Sequence, residues 1–540
     1  MKEKNPVLIL VVATSFGEVD WILPALIIFH KKNPNWQIIT LFGHELVYRG
    51  LQENNFLFTE FSKISSLNIV PQEIDSLFAD VISPEQVKII LKDFNKDEFA
   101  PYKTKLASIC SDALLVSYPH SNYIYSNRFT ESLKTCPAPD AYSKHDLFLL
   151  SSPHDITCWS KLVDHRKIRD FGFPVFDPWW QDKLLQDDDF RQSPERQMAA
   201  NAQKVFFHVS RHPHPVYLDE ADYQYLVKSL VEEVFSYEDS ILLIKRHPRQ
   251  DIGWFHEIMQ AYDPERWRFS NLHLSQLCSL ADVVISFWSS GILNALAVNK
   301  PVIEYYKFGK KNPGWRQLPD GEKTSIYREL CLAVPANNAE ELHARIESAL
   351  AGQDTVWRQQ KSAFDLHCRT NNDASTAIAD YLLEAAQDKQ EATHNHRKKQ
   401  DEDTIVESRI DEVKQLVDNG KTEEARQLIE DLLATYPNNP VALNNMGIFL
   451  FNIGEFARSI DNLSKSIMLA PDYIDAAVNI TQILLELDQP GKATEIVISF
   501  YSDKVNANTR DNFIVALKEQ LSATQFNCIY EDVREYFAKD

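Results

Sequence analysis

The sequence predicts an α/β protein of two halves, each a parallel sheet wrapped by helices, followed by an all-α repeat. Two observations carry this reading. Short, continuous apolar runs, Val7–Val12, Ile241–Ile244 and Val283–Ile285, each lead into a loop and then a helical pattern. Such runs suit strands buried on both faces of a parallel sheet. Beyond residue 405, glycines and prolines recur every 34 positions, and a fixed period of that length marks a helical array.

The first half spans residues 1–180. Val7–Val12 is its first strand, Thr14–Asp20 a loop, Trp21–His30 a helix with Pro24 in its first turn, and Trp36–Phe42 the next strand. This βαβ opening is Rossmann-like. The loop carries Glu18 and Asp20, which favour a helix N-terminus electrostatically and are also candidate carboxylates for proton transfer. Gln52–Lys103 reads as helical and polar in patches. Ser111–His120 and His145–Asp155 read as strands ending at the ligand edge, where His120 and His154 are structural histidines before they are site residues. Gln181–Ala202 is polar and contains Asp187, Asp188 and Asp189. With no apolar strand to present these acids, it reads as a solvated linker rather than a metal site.

The second half spans 204–386. Val205–Ser210 is its first strand, and Arg211-His-Pro-His-Pro215 follows at the ligand edge. Ile241–Ile244 ends in Lys245, Arg246, His247, Pro248 and Arg249, a basic cluster where α/β sheets bind ligands. Val283–Ile285 ends in Ser289, Ser290 and Gly291, and a short helix runs to Val298 before Lys300-Pro301 and the strand at Val302–Ile303. Two hydroxyls and free amides at that turn suit a phosphate. Helices are expected at Tyr223–Phe235, Ala339–Leu350 and Ala374–Ala386. A polar linker is expected over Gln387–Asp403.

The pairing of a strand ending in His247-Pro248 with a strand ending in Ser289-Ser290-Gly291, some forty residues on, resembles the donor half of GT-B glycosyltransferases that use cytidine nucleotides. Bacterial sialyltransferases, capsular Kdo transferases and CDP-glycerol glycerophosphotransferases share this layout. Lys167–Trp180 is similar to the segment that closes the first half in several GT-B proteins. The resemblance implies two Rossmann-like halves around a cleft. It implies that His247 and the Ser289–Ser290 turn hold the donor phosphate and that no metal is needed; Lys245, Arg246, Pro248 and Gly291 beside them are donor-binding candidates, and Arg211 is a candidate for a donor phosphate or an acceptor carboxylate. Related sequences often carry an acid in the short helix where this chain has Asn294, so Glu304 is the substitute candidate for the ribose contact. By the same resemblance Glu18 first, and Asp20 second, is the base that activates the acceptor, with His247 also at the reacting centre.

The final part, 405–540, resembles a tetratricopeptide repeat. Gly420 and Gly454 precede Pro437 and Pro471 by equal intervals, and Ala425 and Ala493 occupy matching small-residue positions. The units read as Val406–Asn439, Pro440–Tyr473 and Ile474–Ala507, with Asn508–Asp540 as a cap. Such arrays leave a concave groove for a partner.

Composition narrows the function classes. The net charge of −21 from 77 acidic and 56 basic residues argues against nucleic acid as the main partner. Fourteen glycines form no Gly-x-Gly-x-x-Gly or Walker loop, which disfavours dinucleotide enzymes and P-loop enzymes. Seven scattered cysteines, no secretory leader and no apolar run of membrane-spanning length are expected of a cytoplasmic protein, with peripheral association at the inner membrane allowed. The expected function is transfer of a sugar, Kdo or a sialic-acid-like nonulosonate, from a CMP-activated donor to a hydroxyl of a surface glycan or protein. Rival readings are a CDP-glycerol transferase, a UDP-sugar transferase, and a repeat scaffold whose α/β half has lost activity.

Overall fold

A computed structural model gives the fold. It describes residues 5–13, 15–69, 78, 82–93, 101–119, 121, 122, 124, 145–160, 163–211, 213, 218–246, 253–306, 316, 317, 323–352, 355–369, 371–500 and 507–537. The chain forms two compact units, Met1–Gln390 and Glu391–Asp540.

The first unit holds two parallel sheets. One contains β1 (Val7–Val12), β2 (Gln37–Phe42), β3 (Ser66–Ile69), β4 (Val87–Asp93), β5 (Leu114–Tyr118), β6 (Leu147–Leu150) and β7 (Ile168–Asp170), in the order β3-β2-β1-β4-β5-β6-β7. The other contains β8 (Lys204–Val209), β9 (Ser240–Lys245), β10 (Trp267–Phe269), β11 (Val283–Ser286) and β12 (Val302–Tyr305). A two-residue hairpin, β13 (Arg316–Gln317) and β14 (Lys323–Thr324), precedes its last strand, β15 (Val334–Ala336). Its order is β10-β9-β8-β11-β12-β15. In both sheets the chain builds outward one way and then reverses, so a switch point lies between β1 and β4 and between β8 and β11. The first half therefore matches the Rossmann-like expectation, and so does the second.

Three expectations about the first unit are corrected. Gln52–Lys103 is not mainly helical: Val87-Lys-Ile-Ile-Leu-Lys-Asp93 is β4, paired with β1 at the centre of the sheet. The first helix runs Gly17–Lys32, so Pro24 lies two turns inside it. Gln181–Ala202 is not a solvated linker. Helices Pro178–Leu185, Asp188–Arg191 and Pro194–Asn201 fill it, and Leu184 and Phe190 are buried. Asp187 caps the middle helix by accepting from Phe190 N at 3.0 Å, which is a structural use of that acid.

The helix Ala374–Asp418 overturns the linker at Gln387–Asp403. The stretch has almost no apolar residues, but it also lacks glycine and proline and is rich in Lys, Gln and Glu, all good helix formers. Its first turn is held by Asp177, whose two carboxylate oxygens accept from Ala374 N at 3.0 Å and Ser375 N at 2.7 Å. That contact gives the Asp177-Pro178-Trp179 segment a purpose: it fastens the crossing helix to the first half.

The second unit is helical and repeats with a period of 34 residues. Helices begin at Thr422, Phe456 and Pro490 and, between them, at Pro440 and Ile474. The turns before the first set hold positive φ at Gly420, Gly454 and Asp488. Asp replaces Gly at the third turn, which is why the period fades there in the sequence. Ala425, Ser459 and Ala493 are fully buried at equivalent places, and the Ser459 hydroxyl donates to Gly447 O at 2.7 Å. Gly447 marks the tightest approach, since a Cβ there would lie 2.5 Å from Leu463 Cγ. Gly447→Val is expected to cost about 1–3 kcal/mol by overpacking, read as a lower urea midpoint for Glu391–Asp540 with the slope unchanged.

Candidate functional site

The C-terminal ends of β8 and β11 meet at the switch point of the second sheet, where open α/β sheets leave a crevice. β8 and β11 run in register from Val283↔Phe206 to Ser286↔Val209, so the residues that follow each strand emerge side by side. Arg211 follows β8 and Trp288 follows β11. The Arg211 Nη1 donates to Trp288 O at 2.6 Å, and its guanidinium lies 4.1 Å from the Trp288 ring centroid. Trp288 has φ +52°, an uncommon and strained conformation for a large side chain. The arginine thus braces a strained turn from both its carbonyl and its ring.

Ser289, Ser290 and Gly291 come next. Ser289 Oγ accepts from Gly291 N at 3.2 Å. Ser290 precedes the helix Gly291–Ala297 but makes no capping bond with its side chain. A Cβ on Gly291 would lie 3.0 Å from Val209 Cγ1. The turn therefore packs closely on β8. Asn294 is buried and donates to Ser275 Oγ at 3.2 Å, so its amide is turned to the neighbouring helix.

Glu304 lies on β12, directly paired with Ser286 of β11. It is fully buried. One oxygen, Oε2, accepts from Arg328 Nε at 2.6 Å and from Ser325 Oγ at 2.8 Å. The other, Oε1, has no hydrogen-bond partner among the described residues. Burial pushes its carboxyl above the ordinary value, opposed by the Arg328 guanidinium, the Ser325 hydroxyl and, further off, Arg211. Arg328 also donates to the carbonyls of Glu304 and Tyr306, so it binds the turn after β12 to the acid.

Lys245 closes β9. Its ammonium donates to Leu272 O at 2.8 Å. The protein packed around it lowers its pKa to about 8, with Arg246 adding repulsion and Glu53, Asp20 and Glu195 opposing. Arg246 reaches Glu53 of the first half, with 3.2 Å between Nη2 and Oε2. His247, Pro248 and Arg249 lie outside the described residues, as do His120, His212 and His214. His154 is described, and its Nε2 pairs with His367 Nδ1 at 3.0 Å.

The two acids of the first loop differ in kind. Glu18 is fully buried, and its oxygens accept from Ala13 N at 2.9 Å and Ser15 N at 3.0 Å. It holds its own loop in shape. Asp20 keeps slight exposure and reaches the second half: Oδ1 lies 2.9 Å from His273 Nε2, and Oδ2 accepts from Asn122 Nδ2 at 3.1 Å. His273 and Asn122 had drawn no notice in the sequence, and no local pattern marks either. Among the described residues no group of three or more His, Cys, Asp or Glu is arranged to hold a metal, and no helix is long and apolar enough to cross a membrane.

No family model matches the chain, and no curated protein matches it. Solved structures give a distant likeness. A putative UDP-N-acetylglucosamine 2-epimerase from Listeria monocytogenes is 13% identical with a TM-score of 0.47, covering 71% of this chain and 95% of that one. The Methanocaldococcus jannaschii UDP-GlcNAc 2-epimerase, in complex with UDP-GlcNAc and UDP, is 12% identical with a TM-score of 0.46, covering 70% and 99%. The wall teichoic acid polymerase TagF is 14% identical with a TM-score of 0.46, covering 72% and 90%.

Proposed function

We propose that the chain is a GT-B glycosyltransferase that moves a sugar from a nucleotide-activated donor, a CMP-linked acidic sugar first of all, to an acceptor hydroxyl. The observation that carries this reading is the meeting of β8 and β11 at the switch point, where Arg211 follows one strand, the Ser289–Gly291 turn follows the other, and Glu304 stands on the neighbouring β12. Cations and hydroxyls suit the departing phosphate, whose developing charge they would stabilise. A buried carboxylate with one oxygen lacking a partner suits a sugar hydroxyl, because an unsatisfied buried acceptor is costly until something donates to it. Lys245 and Arg246 extend the cationic edge at the end of β9, and His247 and Pro248, next in the sequence, are proposed to join them at the donor. Asp20 is the better candidate for deprotonating the acceptor, since its side chain keeps slight exposure whereas Glu18 is fully buried within its own loop. The reaction needs no metal in this reading. The helical unit is a tetratricopeptide array whose groove recruits the acceptor or a protein partner.

Calorimetric titration of the full chain with CMP, CDP, UDP and GDP tests the donor. CMP or CDP is expected to bind most tightly, unchanged by excess EDTA. UDP binding well above the cytidine nucleotides would replace the CMP donor with a UDP-sugar. No binding of any nucleotide would favour the scaffold reading.

A further inference from the structure

We propose that His273 is the positioning residue for Asp20, the proposed base, so that the second half of the fold orients the proton acceptor carried by the first. The proposal rests on the transfer reading above. The two residues are 253 positions apart, yet His273 Nε2 lies 2.9 Å from Asp20 Oδ1. The pair is enclosed, with side-chain exposures of 3% and 12%. The ring tautomer follows from its other contact. His273 Nδ1 accepts from Ser275 N at 3.1 Å, so the ring proton sits on Nε2 and is donated to Asp20. Asn122 takes the second carboxylate oxygen. Held at both oxygens, the carboxylate cannot turn about its last bond.

His273 is itself braced from two sides. Its backbone N–H donates to Gln276 Oε1 at 3.0 Å, and Gln276 Nε2 donates to Leu184 O at 2.9 Å. The carbonyl just before it, Leu272 O, takes the Lys245 ammonium at 2.8 Å. Lys245 ends β9, one residue before the Arg246-His247 segment proposed to meet the donor phosphate. A short chain of contacts, Lys245 to Leu272, His273 and Asp20, therefore joins the donor edge to the base. A group that accepts a proton must be held within hydrogen-bond reach of it, and a misplacement of about 1 Å can cost about 100-fold in rate.

Histidine is suited to the post because its two nitrogens do two jobs at different reach. Asparagine places its amide near Nδ1, so His273→Asn keeps the helix cap and loses Asp20. Glutamine places its nitrogen near Nε2, so His273→Gln keeps the bond to Asp20. The experiment measures nucleotide release by the full chain with whichever of CMP-Kdo, CMP-N-acetylneuraminate, CDP-glycerol and UDP-N-acetylglucosamine binds, alongside melting temperature and nucleotide affinity. His273→Asn is expected to lower kcat about 100-fold with KM and nucleotide affinity little changed. His273→Gln is expected to recover most of the rate. Should the asparagine variant fail to fold, His273→Ser, a second cap too short for Asp20, carries the same expectation. Equal rates in wild type and the short variants, or equal loss in Asn and Gln, overturns the positioning role alone. A wild-type chain that binds none of the four donors overturns the transfer reading and this proposal with it.

Discussion

Replacing Arg328 with methionine is expected to remove about 3–5 kcal/mol of stability at neutral pH, because it leaves a buried carboxylate without its counter-ion. Glu304 is fully buried and Arg328 nearly so, with 2.6 Å between them. Burial already holds the Glu304 carboxyl above its ordinary value of 4.5. A raised carboxyl binds more protons folded than unfolded, so its contribution is fully present below pH 4.5 and is lost as pH rises through the folded value. Taking away Arg328 removes the main opposing influence and extends that window upward. The deficit of Arg328→Met should therefore be large at pH 7 and shrink by more than half near pH 4.5. Adding Glu304→Leu should return much of the lost stability, since an apolar pair can replace a buried ion pair. Urea unfolding at the two pH values checks this. A loss of equal size at both would mean that Arg328 acts through its contacts to the Glu304 and Tyr306 carbonyls rather than through the charge of Glu304.

The second large effect is on chemistry. Arg211→Ala is expected to lower turnover by roughly 100- to 1000-fold, as removal of a fixed charge donor does at a site of developing negative charge. It should also loosen nucleotide binding, because Arg211 braces the strained Trp288 turn that leads into Ser289 and Ser290. Arg211→Lys should recover little, since a lysine cannot both stack on the ring and donate in a fixed fork. Turnover and calorimetry on the two variants decide it. Normal turnover in Arg211→Ala would place the reacting phosphate elsewhere.

Much of this fold was legible in the sequence because parallel strands are written locally. Val7–Val12 and Ile241–Ile244 are continuous apolar runs, and both fall within strands. β4 was hidden because Lys88 and Lys92 interrupt its apolar run and the flanking sequence is polar. Lys92 is nonetheless buried with Asp93 at the end of the strand, which no hydropathy pattern reveals. The helix across Gln387–Asp403 was misread because a lack of apolar residues was taken for a lack of order, although backbone propensity there favours a helix. At the site, strand ends singled out Arg211, Lys245 and Ser289 as candidates, since that edge follows from topology alone, whereas Glu304 was singled out by resemblance. Their partners were another matter. Arg328 meets Glu304, and His273 meets Asp20, through tertiary packing between distant segments. Glu18 and Asp20 look interchangeable in sequence, and only their hydrogen bonds separate a loop brace from an acid held between the halves.

The nucleotide is proposed to sit at the C-terminal ends of β8 and β11. A crystal structure of the full chain with CMP tests it most directly. The account predicts the phosphate within hydrogen-bond distance of Arg211 or the Ser289–Gly291 turn, and the ribose hydroxyls at Glu304. A nucleotide seated at the opposite edge of the first sheet, in the polar depression lined by His30, Trp36 and Ser65, would contradict it.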